Sequence, residues 1–86
     1  MSVQSIEQFT RFFFLGIGGI GMSAIARYYK VQGFDVAGYD RTATKLTADL
    51  QSEGIELVYE AGVSAIPARF TDKLKTLVVL DRKSVV

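Results

Sequence analysis

Phe12-Phe13-Phe14-Leu15 runs directly into Gly16-Ile17-Gly18-Gly19-Ile20-Gly21, and this junction limits the folds open to the chain more than any other segment. A short, uninterrupted apolar run is the pattern of a parallel strand covered on both faces. It is far too short to cross a bilayer. Gly16, Gly18 and Gly21 then satisfy the G-x-G-x-x-G spacing, which belongs between a strand and a helix. Each glycine has its own expected role. Gly16 makes the tight turn, Gly18 brings backbone close to a phosphate, and Gly21 lets the helix pack against the sheet. Gly19 is a further glycine that opens the turn to backbone contact. The free amides and dipole of the first helical turn favour an anion.

The rest of the chain repeats the unit. Met22, Ile25, Ala26 and Tyr29 are spaced to form one buried helical face, and Gly33 is placed to end that helix in a left-handed conformation. Residues 34–39 read as a second strand that closes on Asp40. Thr42 or Thr44 caps a second helix, with Leu46 and Leu50 inward and Gly54 as its stop. Residues 55–59 read as a third strand. In 63–70, Ile66 and Phe70 fit a short helical turn, while Pro67 argues against a longer helix. Residues 76–80 read as a fourth strand. Strand starts near 12, 34, 55 and 76 lie about 21 or 22 residues apart, which suits strand plus crossover helix. The expected fold class is α/β: an open parallel sheet of about four strands with helices on both faces. Its ligand crevice should lie at the carboxyl ends of the strands.

With 86 residues the chain has room for one small domain. It contains no cysteine and no histidine. Disulfides, thiol nucleophiles, imidazole bases and the usual zinc sites are thereby excluded, and only carboxylates remain for a metal. The formal net charge is +1 with basic residues scattered, which gives no footprint for nucleic acid. The polar segment 1–11 lacks the apolar stretch of a secretion signal, and no membrane partner is indicated. A cytoplasmic location is expected. Asp72, Lys73 and Lys75 read as a solvated face.

Asp40 falls about 20 residues past the turn, where an acidic group accepts hydrogen bonds from a ribose diol. Arg41 beside it is a candidate for a phosphate or carboxylate, and Ser23 for an added hydroxyl donor. Met22-Ser23 stands where a phosphate-transferring P-loop has Lys-Ser/Thr, which argues against such a loop here. The spacing alone fits an NAD-binding domain of an oxidoreductase. It fits equally a non-catalytic nucleotide-sensing module attached to a transporter.

The stretch from Phe12 to Tyr28, above all Gly-Ile-Gly-Gly-Ile-Gly-Met-Ser over 16–23, resembles the start of a Mur ligase, and Gln32-Gly33-Phe34-Asp35-Val36-Ala37-Gly38-Tyr39-Asp40 continues that pattern. The similarity extends, less specifically, through Gly54-Ile55-Glu56 to Leu77-Val78-Val79. The resemblance implies a Rossmann-like domain over 1–80 that holds the UDP part of UDP-N-acetylmuramate. By carry-over, Gly16, Ile17, Gly18, Gly19, Ile20, Gly21, Met22 and Ser23 surround the diphosphate, while Asp40 and Arg41 lie near the uridine. It also implies a parent ligase that uses ATP and magnesium to join L-alanine to the muramate carboxyl through an acyl-phosphate. Those sites would belong to later domains, so this chain alone is expected to be inactive and to hold no cofactor. Residues 81–86 depart from the family's small-residue, proline-containing turn. They are expected to be a tail, with foreign residues at the end of a truncated chain. A sheet edge left bare by truncation is expected to allow self-association.

Overall fold

A computed structural model describes residues 9–60, 62, 65–72 and 75–80. The described elements run β1 (Arg11–Leu15), α1 (Ile20–Val31), β2 (Asp35–Tyr39), α2 (Lys45–Ser52), β3 (Glu56–Val58), a 3-10 turn (Ala68–Thr71) and β4 (Thr76–Leu80). The strands form one all-parallel sheet in the order β3-β2-β1-β4. The chain therefore steps outward from β1 to β3 and returns past β1 to β4. That reversal puts a topological switch point beside the carboxyl end of β1.

β1 is central, and its side chains alternate between two cores. Phe12 and Phe14 face α1 and α2, in a cluster with Ile17, Met22, Ala26, Val36, Leu50 and Ile55. Phe13 faces the other way, toward Ala37 and Phe70. All three phenylalanines are at most 1% exposed. At about 1.5–3 kcal/mol per fully buried large side chain, this short strand is the main hydrophobic anchor of the sheet. Tyr29 stacks on Phe12 at a centroid distance of 4.2 Å, so the expected inward face of α1 holds there. Ile25 does not follow: it is 44% exposed, because the buried arc of α1 is centred on Met22, Ser23, Ala26 and Tyr29.

α1 and α2 cover one face. Among the described residues the second face carries the 3-10 turn, with Pro67 as its N-cap. Val78 and Leu80 on edge strand β4 are therefore about half exposed. Gly33 and Gly54 take φ of 99° and 94°, which ends α1 and α2 at the expected places. Thr44 caps α2 in a full capping box, with Thr47 in the usual Glu/Gln place. Among the described residues no helix is long and apolar enough to cross a membrane. The expected tail at 81–86, residue Val63 of the expected helical turn and Lys73 of the expected solvated face lie outside the described residues.

Candidate functional site

The glycine turn lies at the carboxyl end of β1, held by the end of β2. Gly16 turns the chain with φ of 80°. Its amide and that of Ile17 both donate to the Tyr39 carbonyl, at 2.8 and 3.0 Å. The Gly18 amide donates to Asp40 Oδ2 at 2.8 Å, and the Gly19 amide to the Gly16 carbonyl at 3.1 Å. The first intrahelical bond runs from the Ser23 amide to the Gly19 carbonyl. Four successive amides, 16 to 19, are thus already bonded within the protein.

What remains is the start of α1. Gly19 is its N-cap and offers no side chain to cap it. The amides of Ile20, Gly21 and Met22 lie in the first turn, where a helix has no internal acceptor for them. No acidic residue lies within that turn. The Asp40 carboxylate beside it is bonded to the Gly18 amide rather than to the helix start, so the first-turn amides and the positive end of the dipole remain available to an anion. The arrangement offers neighbouring N–H donors and partial positive charge to an anion.

The glycines divide by purpose. A Cβ on Gly18 would lie 2.6 Å from Asp40 Oδ2 and 3.2 Å from Thr47 Cγ2, so the protein itself requires glycine there. A Cβ on Gly21 would meet nothing within 4 Å, and one on Gly19 would make ordinary contacts at 3.5 and 4.0 Å. The expected role of Gly21 in close helix packing is not seen: the residue is exposed, and an added Cβ would meet no other part of the fold. Neither Gly19 nor Gly21 is demanded by the fold. Both leave room above the free amides.

Other expected site residues separate in the same way. Ile17 is completely buried, packed where Gly38 leaves space for it; it anchors the turn and shows the site neither side chain nor amide. The Met22 side chain is in the core, so only its backbone faces the helix start. Ser23 is 3% exposed and its hydroxyl donates to the Ile20 carbonyl at 3.0 Å, so that donor is committed inside the helix. Ile20 is 85% exposed at the helix start. Asp40 accepts from Gly18 through one oxygen and from the Thr42 amide through the other, at 3.1 Å. Arg41 is exposed beside it.

Thr47 and Tyr59 were not marked by the sequence. The Tyr59 hydroxyl donates to Thr47 Oγ1 at 3.0 Å, and Thr47 Oγ1 accepts the Thr44 amide at 2.8 Å. This joins the chain after β3 to the cap of α2, beside the Asp40 loop. The signal was present in the Thr44-to-Thr47 spacing, but threonine at that position is weaker than the usual Glu or Gln. A cavity of about 280 Å³ lies on the second face, lined by Phe13, Leu15, Tyr39, Val58 and Ile66 with Glu60 and Gly62. Its mainly apolar wall offers little to an anion, and the glycine turn remains the candidate site. Among the described residues no group of three or more Asp or Glu is placed to hold a metal ion.

The model of the Mur ligase family, catalytic domain, matches residues 11–83. The chain is 51% identical over 65 residues to a UDP-N-acetylmuramate–L-alanine ligase of Christiangramia forsetii, covering 76% of this chain and 14% of the relative. A protein of the same name from Porphyromonas gingivalis is 48% identical over 69 residues, covering 80% of this chain and 15% of its own. One from Flavobacterium psychrophilum is 42% identical over 76 residues, covering 88% and 17%. This chain therefore spans about one-seventh to one-sixth of the length of these relatives. The family model covers most of this chain, which therefore belongs to the Mur ligase family.

Proposed function

We propose that this chain is the UDP-binding part of a cytoplasmic ligase that joins L-alanine to UDP-N-acetylmuramate at the expense of ATP. The observation that carries the reading is the uncapped start of α1: the amides of Ile20, Gly21 and Met22 beneath the open sides of Gly19 and Gly21. A diphosphate placed there would cap the helix and meet its positive dipole end. The names of the relatives supply the substrate and the amino acid. Asp40 and Arg41 stand on the adjoining loop, toward which the uridine would extend.

The fragment's share of the reaction is binding and orientation. It would fix the nucleotide end of the substrate so that the muramate carboxyl reaches the ATP site from a constant distance. The residues of this chain do not fit ATP and magnesium: Met22-Ser23 stands where a P-loop has Lys-Ser/Thr, and no acidic cluster is built among the described residues. Those ligands belong to other segments of the parent enzyme. We further propose that copies of this chain associate weakly through β4, which lies at the edge of the described sheet with Val78 and Leu80 about half exposed.

The test is an amide NMR titration of the chain with UDP, UDP-N-acetylmuramate and NAD. Saturable shifts at Ile20, Gly21 and Met22 with the UDP ligands are expected. Saturable binding of NAD without a response to UDP would overturn the reading in favour of a dinucleotide domain.

A further inference from the structure

We propose that Asp40 is a positioning residue of the glycine turn, an internal anion that occupies the Gly18 amide and leaves the ligand's phosphates to the helix start. The inference rests on the nucleotide-binding reading above and assigns Asp40 a role distinct from meeting a ribose. Its two carboxylate oxygens are divided between two loops: Oδ2 takes the Gly18 N–H at 2.8 Å and Oδ1 the Thr42 N–H at 3.1 Å. Its own amide donates to the Val58 carbonyl at 3.1 Å. One residue therefore ties together the ends of β1, β2 and β3.

The glycine at position 18 fits this arrangement. A side chain there would collide with the Asp40 carboxylate before it reached any ligand. Hydrogen bonds to a charged acceptor are roughly twice as strong as neutral ones, so the Gly18–Asp40 bond is a firm restraint on an otherwise permissive turn. A phosphate that competed for the Gly18 amide would also approach a fixed negative charge. Asp40 thereby steers the diphosphate along the turn to the amides of Ile20, Gly21 and Met22, which it does not touch.

Pyrophosphate separates this role from ribose recognition, because it has no ribose. The experiment measures Gly18 amide exchange, and binding of pyrophosphate and UDP, in the parent chain and in Asp40→Ala and Asp40→Asn. Without ligand, Gly18 exchange is expected to accelerate at least about tenfold in Asp40→Ala. Binding of both ligands should weaken by a similar factor, about tenfold, with Asp40→Asn recovering part of each because its carbonyl can still accept from Gly18. If Asp40→Ala weakens UDP alone while pyrophosphate binds as well or better, Asp40 is a ribose acceptor and the proposal fails. Unchanged Gly18 exchange would also overturn it. If neither ligand binds the parent, the nucleotide-binding reading fails, and the exchange measurement still decides whether Asp40 holds the turn. Should Asp40→Ala not fold, Asp40→Asn carries the same readouts with smaller changes expected in the same direction, and Gly18 exchange and pyrophosphate binding both equal to the parent's would overturn the proposal.

Discussion

Ile17 sits in the space that a side chain at position 38 would need: a Cβ on Gly38 would lie 2.5 Å from Ile17 Cδ1 and 2.8 Å from the Phe14 carbonyl oxygen. The missing side chain in β2 lets the first residue after Gly16 plug into the core and seat the glycine turn on the sheet.

Gly38→Ala should therefore destabilise the chain, although alanine suits the extended backbone. The Phe14 oxygen belongs to the neighbouring strand and cannot rotate away, so β1 and β2 must separate or Ile17 must leave its place. Overpacking of this kind costs about 1–3 kcal/mol. A urea titration followed by circular dichroism reads the loss, and a midpoint equal to the parent's would refute the packing account.

Thr47→Val tests the link between the second and third strand ends. Valine keeps the shape of this fully buried residue but removes the oxygen that accepts from Thr44 and Tyr59. Leaving such donors without an acceptor costs about 1–3 kcal/mol. Thr47→Ser retains the oxygen and should lose less. Equal losses in the two variants would show that the methyl group, and not the hydroxyl network, is what Thr47 contributes.

The sequence made the framework legible because its signals are local. The run Phe12–Leu15 and the stops at Gly33 and Gly54 depend on neighbours a few residues away, and the structure reproduces them. The roles of individual glycines were not legible. Gly18 and Gly38 are fixed by Asp40 and Ile17, about 20 residues distant, and Gly21 by the lack of any neighbour. Spacing shows that glycine is present at a turn but not which side of it is open. Ile25 misled for a related reason: a helical period gives the apolar face only to within about one residue's rotation, and α1 turns Ile25 to the margin.

Arg69→Met should affect stability and leave nucleotide binding unchanged. Arg69 donates from Nε to Asp35 at 2.6 Å and reaches Glu56 at 2.8 Å, which holds the 3-10 turn to the first residues of β2 and β3, opposite the glycine turn. Hydrogen bonding to Asp35, foremost, holds the guanidinium above the usual arginine range. The groups are 36–46% exposed, so screening reduces the gain to about 1 kcal/mol or less. Methionine keeps an apolar stem near Phe70. The difference in urea midpoint between variant and parent should shrink from about 0.05 M to about 1 M salt; a salt-independent difference would mean that packing, not charge, is lost.

Gly21→Ala sets the fold against the site. The position lies in the first turn of α1, and an added Cβ meets no protein atom within 4 Å. Alanine is favoured over glycine in a helix by roughly 0.5–1 kcal/mol, so the variant should unfold at higher urea than the parent. The same methyl group stands above the amides that would receive the diphosphate, and UDP affinity should fall by about tenfold or more. Measured side by side, a gain in stability with a loss of binding places the ligand over Gly21. A variant both more stable and equally able to bind UDP would show that the open side of this glycine is not where the phosphates lie.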